Sequence, residues 1–280
     1  MSNRRRTLYL LLLPLAGWLA LFLLVPLTFV LIESLRSGDG WSLAPYLRVF
    51  TKKLYREALL NSLLLSGTTA LLGTAIGVPL SYTVFRMGRR GQAFMTTLLA
   101  LPLTFSGLVI AYAAIVSLGA SGFFTLLFNK WFGVNTLEFS AFLFTWKGLV
   151  VAYLYFLIPR MILVMIAAWS KADWTLLEAA ESLGAGRLRT FFKVLLPMFW
   201  SSMLAGSSLL FAVSMGAFGT AFALAGTGLN IMPLLIYTQT SDLTVNIAEA
   251  DALAVTLAVV TTVVVWLYES LNSRTTLAEQ

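Results

Sequence analysis

Cysteine and histidine are both absent from the 280 residues. Disulfides, thiol nucleophiles, Cys- or His-based zinc sites and histidine proton relays are thereby excluded. Charge is scarce as well, with Asp, Glu, Lys and Arg making up 11% of the chain against roughly 25% in an ordinary soluble domain. No Gly-Lys dipeptide occurs, so there is no G-x-x-x-x-G-K-[ST] loop to cradle nucleotide phosphates. What remains is apolar: 59% of residues are hydrophobic and the mean hydropathy is +0.87. A soluble globule of this composition would expose too much apolar surface to stay in solution. Soluble enzyme, nucleic-acid-binding domain, disordered tail and coiled coil are all excluded in favour of a polytopic membrane protein. The net charge of +7 is then a property of loops rather than a nucleic-acid footprint.

Six apolar runs are long enough for a membrane-spanning helix of roughly 20 residues. They lie at about 8–32, 58–85, 94–118, 142–169, 198–224 and 252–271. The runs are continuous rather than alternating, which excludes barrel strands. The expected fold is a single all-α membrane domain over 1–280 with six transmembrane helices. Arg4-Arg5-Arg6 resembles the start of a signal peptide, but the apolar run that follows is too long for one and reads as an uncleaved anchor. With both termini in the cytoplasm, Arg4, Arg5, Arg6, Arg86, Arg89, Arg90, Lys171, Arg187, Arg189, Lys193 and Arg274 lie inside. Arg36, Arg48, Lys52, Lys53, Arg56, Lys130 and Lys147 lie outside, a mild bias of the sign that orientation requires. The stretch from Arg36 to Arg56 runs against it. Its Tyr46, Val49, Phe50 and Leu54 pattern predicts an interfacial amphipathic helix, preceded by a Gly38-Asp39-Gly40 turn.

One inner loop, residues 170–197, is long and patterned. Thr175 and Glu178 are spaced as a capping box, and Ala179 and Ala180 form helix without bulk. Gly184 stands where a glycine ends a helix. A basic segment from Arg187 to Lys193 follows, and Pro197 marks the entry to the fifth span. Such a loop is built to touch something: a partner, or the membrane surface if its helices lie there as interfacial ones.

Glu178-Ala179-Ala180, Gly184, Val194, Leu196 and Pro197, at these spacings, resemble the EAA signature of permease subunits of binding-protein-dependent ATP-binding-cassette importers. Asn61-Ser62-Leu63, the Tyr155–Arg160 stretch, the Ser214–Thr220 stretch and Met232-Pro233 are similar to the branch that imports polyamines, opines and phosphonates. The resemblance implies a type I importer permease in the bacterial inner membrane, with residues 170–197 as the loop that couples to the ATPase. It implies two ATPase copies holding ATP and Mg, a second permease (in this branch commonly a paralogue), and a periplasmic or lipid-anchored solute-binding protein. The chain itself would hold no cofactor, and its partners would include membrane lipid but no nucleic acid. Two positions depart from the family pattern. Some members carry an acid where Ala217 stands, which argues against a polycationic solute, and members often have Ala where Asp251 stands.

Ionisable groups at mid-membrane are costly, about 3 kcal/mol for Arg at a helix centre, and so are functional candidates. Arg160 is therefore expected either to line a translocation path or to satisfy carbonyls freed by Pro159 or pair with an acid. Met215 and Phe218, among glycines, are candidates for a gate or for plain helix packing. Asn61 faces the path or bonds locally. Glu249 and Asp251 are expected to be solvated at the outer end of the last span. The alternative function is an ion-gradient-driven secondary transporter. That class commonly has more spans, internal repeats and buried acids.

Overall fold

In hydrocarbon a backbone must satisfy its own amides, which leaves helices as the solution for these runs. The computed structural model of the chain is helical almost throughout. It describes residues 14–278 except 16, 38–39, 173, 176–179, 181, 183, 227 and 242–245.

Helix α1 (Gly17–Ser34) contains a π turn at Ala20–Leu24, next to Pro26. A two-residue antiparallel ribbon, β1 (Arg36–Ser37) and β2 (Gly40–Trp41), reverses the chain, with Arg36 opposite Trp41. Then come α2 (Ala44–Thr51), α3 (Lys53–Phe85), α4 (Arg89–Thr104), α5 (Gly107–Leu118), α6 (Phe123–Phe132), α7 (Thr136–Ala141) and α8 (Trp146–Trp169). Beyond the inner loop, α9 (Arg187–Thr190) runs through a π turn, Phe191–Leu195, into Leu196–Met198. The chain ends with α10 (Trp200–Met215), α11 (Phe218–Ala225), α12 (Met232–Ser241) and α13 (Ile247–Ala278).

Five helices among the described residues are long and apolar enough to cross a membrane: Gly17–Ser34, Lys53–Phe85, Gly107–Phe132, Trp146–Trp169 and Ile247–Leu271. A sixth is present if Phe191–Met198 and Trp200–Met215, which meet at 66°, count as one span. The number agrees with the sequence, but two boundaries do not. The third span, expected over 94–118, is broken after Thr104, where Phe105 and Ser106 are extended. Ser106 caps the new helix, its Oγ accepting from the Val109 N–H at 3.4 Å. The fifth, expected over 198–224, bends near Phe199 and breaks again at Gly216–Ala217.

The middle of the molecule is α8, whose span is the most buried of the five, while that of α1 is the least. Leu157, Met161 and Met165 of α8 are fully buried, and Leu157 and Met161 pack against α3 and α10. On the outer side α2 is a helix, as its pattern predicts, but it does not float at an interface. Val49 is buried against Met232, Leu235, Ala252 and Leu253 of α12 and α13, with Tyr46 beside it, whereas Phe50 and Leu54 are exposed. The apolar face is thus divided between protein and surroundings.

Candidate functional site

Arg160 follows Pro159 in the middle of α8. Its Nη1 is buried and has no hydrogen-bond partner among the described residues. Among the described residues, neither a carbonyl freed by Pro159 nor an acid bonds that nitrogen. Instead Arg160 lines a cavity of about 320 Å³ between α8, the α4–α5 break and the α10–α11 break. Phe105, Gly107, Phe156, Gly216 and Phe218 are among the other lining residues. Both helix breaks are held by specific bonds. The Tyr153 hydroxyl donates to the Ala217 carbonyl at 2.5 Å. The Thr220 hydroxyl donates to the Gly107 carbonyl at 3.0 Å. Gly107 allows that approach, because a Cβ there would lie 2.8 Å from Thr220 Oγ1 and 2.9 Å from its backbone nitrogen.

Of the four sequence-derived path candidates, Arg160 and Phe218 share this cavity. Phe218 also packs its ring on Phe222 and Tyr237, at centroid distances of 5.2 Å each. Met215 and Asn61 do not line the cavity. Met215 is buried in the main core, where its sulfur accepts from Ser66 Oγ at 3.5 Å. Asn61 Nδ2 donates to the Asn230 carbonyl at 2.9 Å, and Asn230 Nδ2 donates back to the Leu54 carbonyl at 2.8 Å. That pair ties α3 to the approach to α12. Tyr153 and Thr220 were not singled out by sequence reasoning. Their role depends on helix breaks that hydropathy does not show.

At the outer end the solvated picture of Glu249 is corrected. Its side chain is 3% exposed. It accepts from Arg48 Nη1 at 2.7 Å, from Lys52 Nζ at 2.7 Å and from the Tyr55 hydroxyl. The Glu249 N–H is itself capped by Asn246 Oδ1 at 3.2 Å. Burial disfavours a charged Lys52, but the bonds to Glu249 and Tyr55 outweigh it and raise its pKa above the usual lysine value. Asp251 is half-buried rather than solvated. Two of the basic residues that spoil the charge bias of the outer loop, Arg48 and Lys52, are thus consumed by an internal acid.

In the inner loop, Glu178 and Ala179 lie outside the described residues. Ala180 and Ser182 are helical, and Gly184 ends that turn with φ +79°. The Ala185 N–H reaches back to the Ala180 carbonyl at 3.1 Å, the long bond of a Schellman cap. No described residue lies within 4 Å of where a Gly184 Cβ would stand. Val194 lies in the π turn and is half-buried. The turn closes with Leu196 N–H bonded to the Phe191 carbonyl, and Pro197, which has no N–H to donate, follows directly. Both ends of the loop rest on aromatic rings. Trp174 stacks on Phe85 at 5.3 Å, Phe199 lies 4.0 Å from Trp169, and Phe191 lies 6.1 Å from Tyr82. Trp169 is fixed by donating Nε1–H to Ser81 Oγ at 2.9 Å. This aromatic seat joins the loop to the inner ends of α3 and α8, and the sequence pattern gave no sign of it.

The chain is similar to known transport proteins over most of its length. Residues 70–277 match the family described as "Binding-protein-dependent transport system inner membrane component". The molybdenum transport system permease protein ModB of Escherichia coli (strain K12) is 34% identical over 163 residues, covering 58% of this chain and 69% of that protein. The spermidine/putrescine transport system permease protein PotB of Haemophilus influenzae is 31% identical over 218 residues, 75% of each chain. A chain in the crystal structure of a bacterial alginate ABC transporter, in complex with its alginate pentasaccharide-bound periplasmic protein, superposes with a TM-score of 0.78. The identity is 20%, with 97% of this chain and 96% of that one covered.

Proposed function

Because the chain belongs to the binding-protein-dependent transport system inner membrane components, we propose that it forms one half of a solute path in an ATP-binding-cassette importer and couples that path to the ATPase through residues 170–197. It is a multi-pass inner-membrane permease, and the ATPase is a separate subunit. Our finer reading is a complex of this chain, a paralogous second permease, two ATPase subunits holding ATP and Mg, and a periplasmic or lipid-anchored binding protein. Glu178, Ala179, Ala180, Gly184, Val194, Leu196 and Pro197 make the ATPase contact. Arg160 and Phe218 line the path. The solute is a small polar one of the polyamine, phosphonate or opine kind. The relatives are named for molybdenum and for spermidine or putrescine, so likeness alone does not choose among solutes.

The observation that carries the coupling role is Gly184. Its left-handed backbone shapes a loop that bears the family's spacing, yet no described residue crowds the position a side chain there would take. A side chain there costs about 1 kcal/mol through the backbone and meets no described residue of this chain. A large effect must then arise where the loop docks. Gly184→Asp should leave the protein in the membrane, reduce co-purification of the ATPase and lower uptake about tenfold or more, a loss of 1.4 kcal/mol in coupling. Gly91→Asp, at the inner start of α4, is the control and should change neither. Normal uptake with a normal yield of ATPase from Gly184→Asp would remove the loop from the coupling role.

A further inference from the structure

The cavity at Arg160 is positive for more than one reason. Both helix breaks present helix beginnings to it: Gly107 opens α5, Phe218 opens α11, and both residues line the space. First-turn N–H groups have no helical acceptor and together carry roughly half a positive charge. Ser106 caps one of these beginnings. The other is preceded by Ala217, which has no side-chain oxygen, and no side-chain cap is present. No Asp or Glu lines the cavity among the described residues. Phe105, Phe156 and Phe218 supply apolar wall on part of its lining, and charge interactions strengthen where such walls exclude water. Broken helices that aim their starts at an acidic group are a recurrent way of holding anions within a membrane. The volume, about 320 Å³, is of the order of small-molecule sites, roughly 300–1,000 Å³.

Resting on the reading of this cavity as part of the solute path, we infer that it is an anion-selective site for a solute carrying a carboxylate or phosphonate group. The Arg160 guanidinium, through donors other than the enclosed Nη1, meets one oxygen of that group and the first-turn N–H groups of α11 meet another. A guanidinium is suited to this, because its fixed fork of donors matches the planar or tetrahedral oxygens of such groups. A polyamine would meet a like charge with no acid to offset it. Among the solute classes in view, the cavity therefore selects phosphonates and opines over polyamines.

The natural absence of cysteine permits a test that needs no knowledge of the solute. Val213→Cys and Ala217→Cys each place one thiol on the cavity wall, and Gly91→Cys places one in the first turn of α4, away from the cavity. Membranes holding the whole complex are treated with anionic 2-sulfonatoethyl methanethiosulfonate or cationic 2-(trimethylammonium)ethyl methanethiosulfonate. The ratio of the two rates is scored, normalised to Gly91→Cys, for variants that still co-purify the ATPase. A positive field that ionises the thiol more readily acts on both rates alike and leaves the ratio unchanged. Focusing of charge in a low-dielectric cleft predicts a preference for the anionic reagent of about tenfold or more. Arg160→Lys should keep it and Arg160→Gln should reduce it to near parity. Equal rates at both positions, or a preference untouched by Arg160→Gln, would overturn anion selectivity and leave the path reading standing. Failure of either reagent to react at both positions, with and without ATP, would overturn the path reading and the inference with it.

Discussion

Glu249 and Arg160 are both ionisable, both sit in membrane-crossing helices, and the chain treats them in opposite ways. Glu249, near the outer end of α13, is buried against three donors from α2, α3 and the residue between them. Arg160, mid-way along α8, has a buried nitrogen that no described residue bonds. A buried charge without partners loses its hydration and gains nothing in return. A chain that satisfies one such group so completely has the means to satisfy the other. Leaving Arg160 unpaired beside a cavity is therefore consistent with a partner that comes and goes. Glu249 acts as a fastening: it draws α2 onto α13 and binds the outer ends of α3 and α13 together. Arg160 is held ready for something the folded chain does not itself contain.

The sharpest way to break this contrast is to strand the acid. Arg48→Leu with Lys52→Leu leaves Glu249 buried with only Tyr55 and should destabilise the protein by roughly 3 kcal/mol. That is the low end of the range for removing partners of a buried charge, because both cations are half-exposed. Thermal unfolding of the assembled complex measures the loss. Adding Glu249→Gln to the same protein should restore most of it, the non-additivity expected of a coupled network. A triple variant no more stable than the double would show that the cluster is not a fastening.

A smaller effect is expected from the wall of the Arg160 cavity. Gly107→Ala would push a Cβ against Thr220 and part the two helix starts. Destabilisation should be modest, about 1–2 kcal/mol for overpacking, while uptake per assembled complex falls several-fold because the cavity is distorted. Unchanged uptake at normal assembly would separate the helix breaks from transport.

Much of this architecture is legible in the sequence because the membrane imposes a length scale. Apolar runs such as Trp146–Trp169 identify themselves by composition alone. The breaks at Phe105–Ser106 and Gly216–Ala217 do not, since hydropathy averages over a whole span and cannot see one or two residues turning extended. Pro102 was the visible irregularity in its run, yet it lies within α4 and the break falls beyond it. The partners of Glu249 were hidden for a different reason. Arg48 and Lys52 are 201 and 197 residues away, and a charge count on an outer loop records them as misplaced. The inner loop stood out because caps and hinges are local: Gly184 and its helix end are written within five residues. Its aromatic seat is written across Tyr82, Phe85, Trp169, Trp174, Phe191 and Phe199, and needs the fold to assemble it.

The unpaired guanidinium is tested most directly by uptake per mole of assembled complex for Arg160→Leu, measured beside Arg160→Lys. Arg160 is half-buried and no described residue bonds its enclosed Nη1, so replacing it by an apolar side chain should cost the fold little. Arg160→Leu should therefore assemble in normal amount and lose uptake by about tenfold or more, equivalent to 1.4 kcal/mol or greater, while Arg160→Lys retains a part. If both variants instead lower the amount of complex while each remaining complex transports normally, Arg160 is structural and the contrast with Glu249 fails.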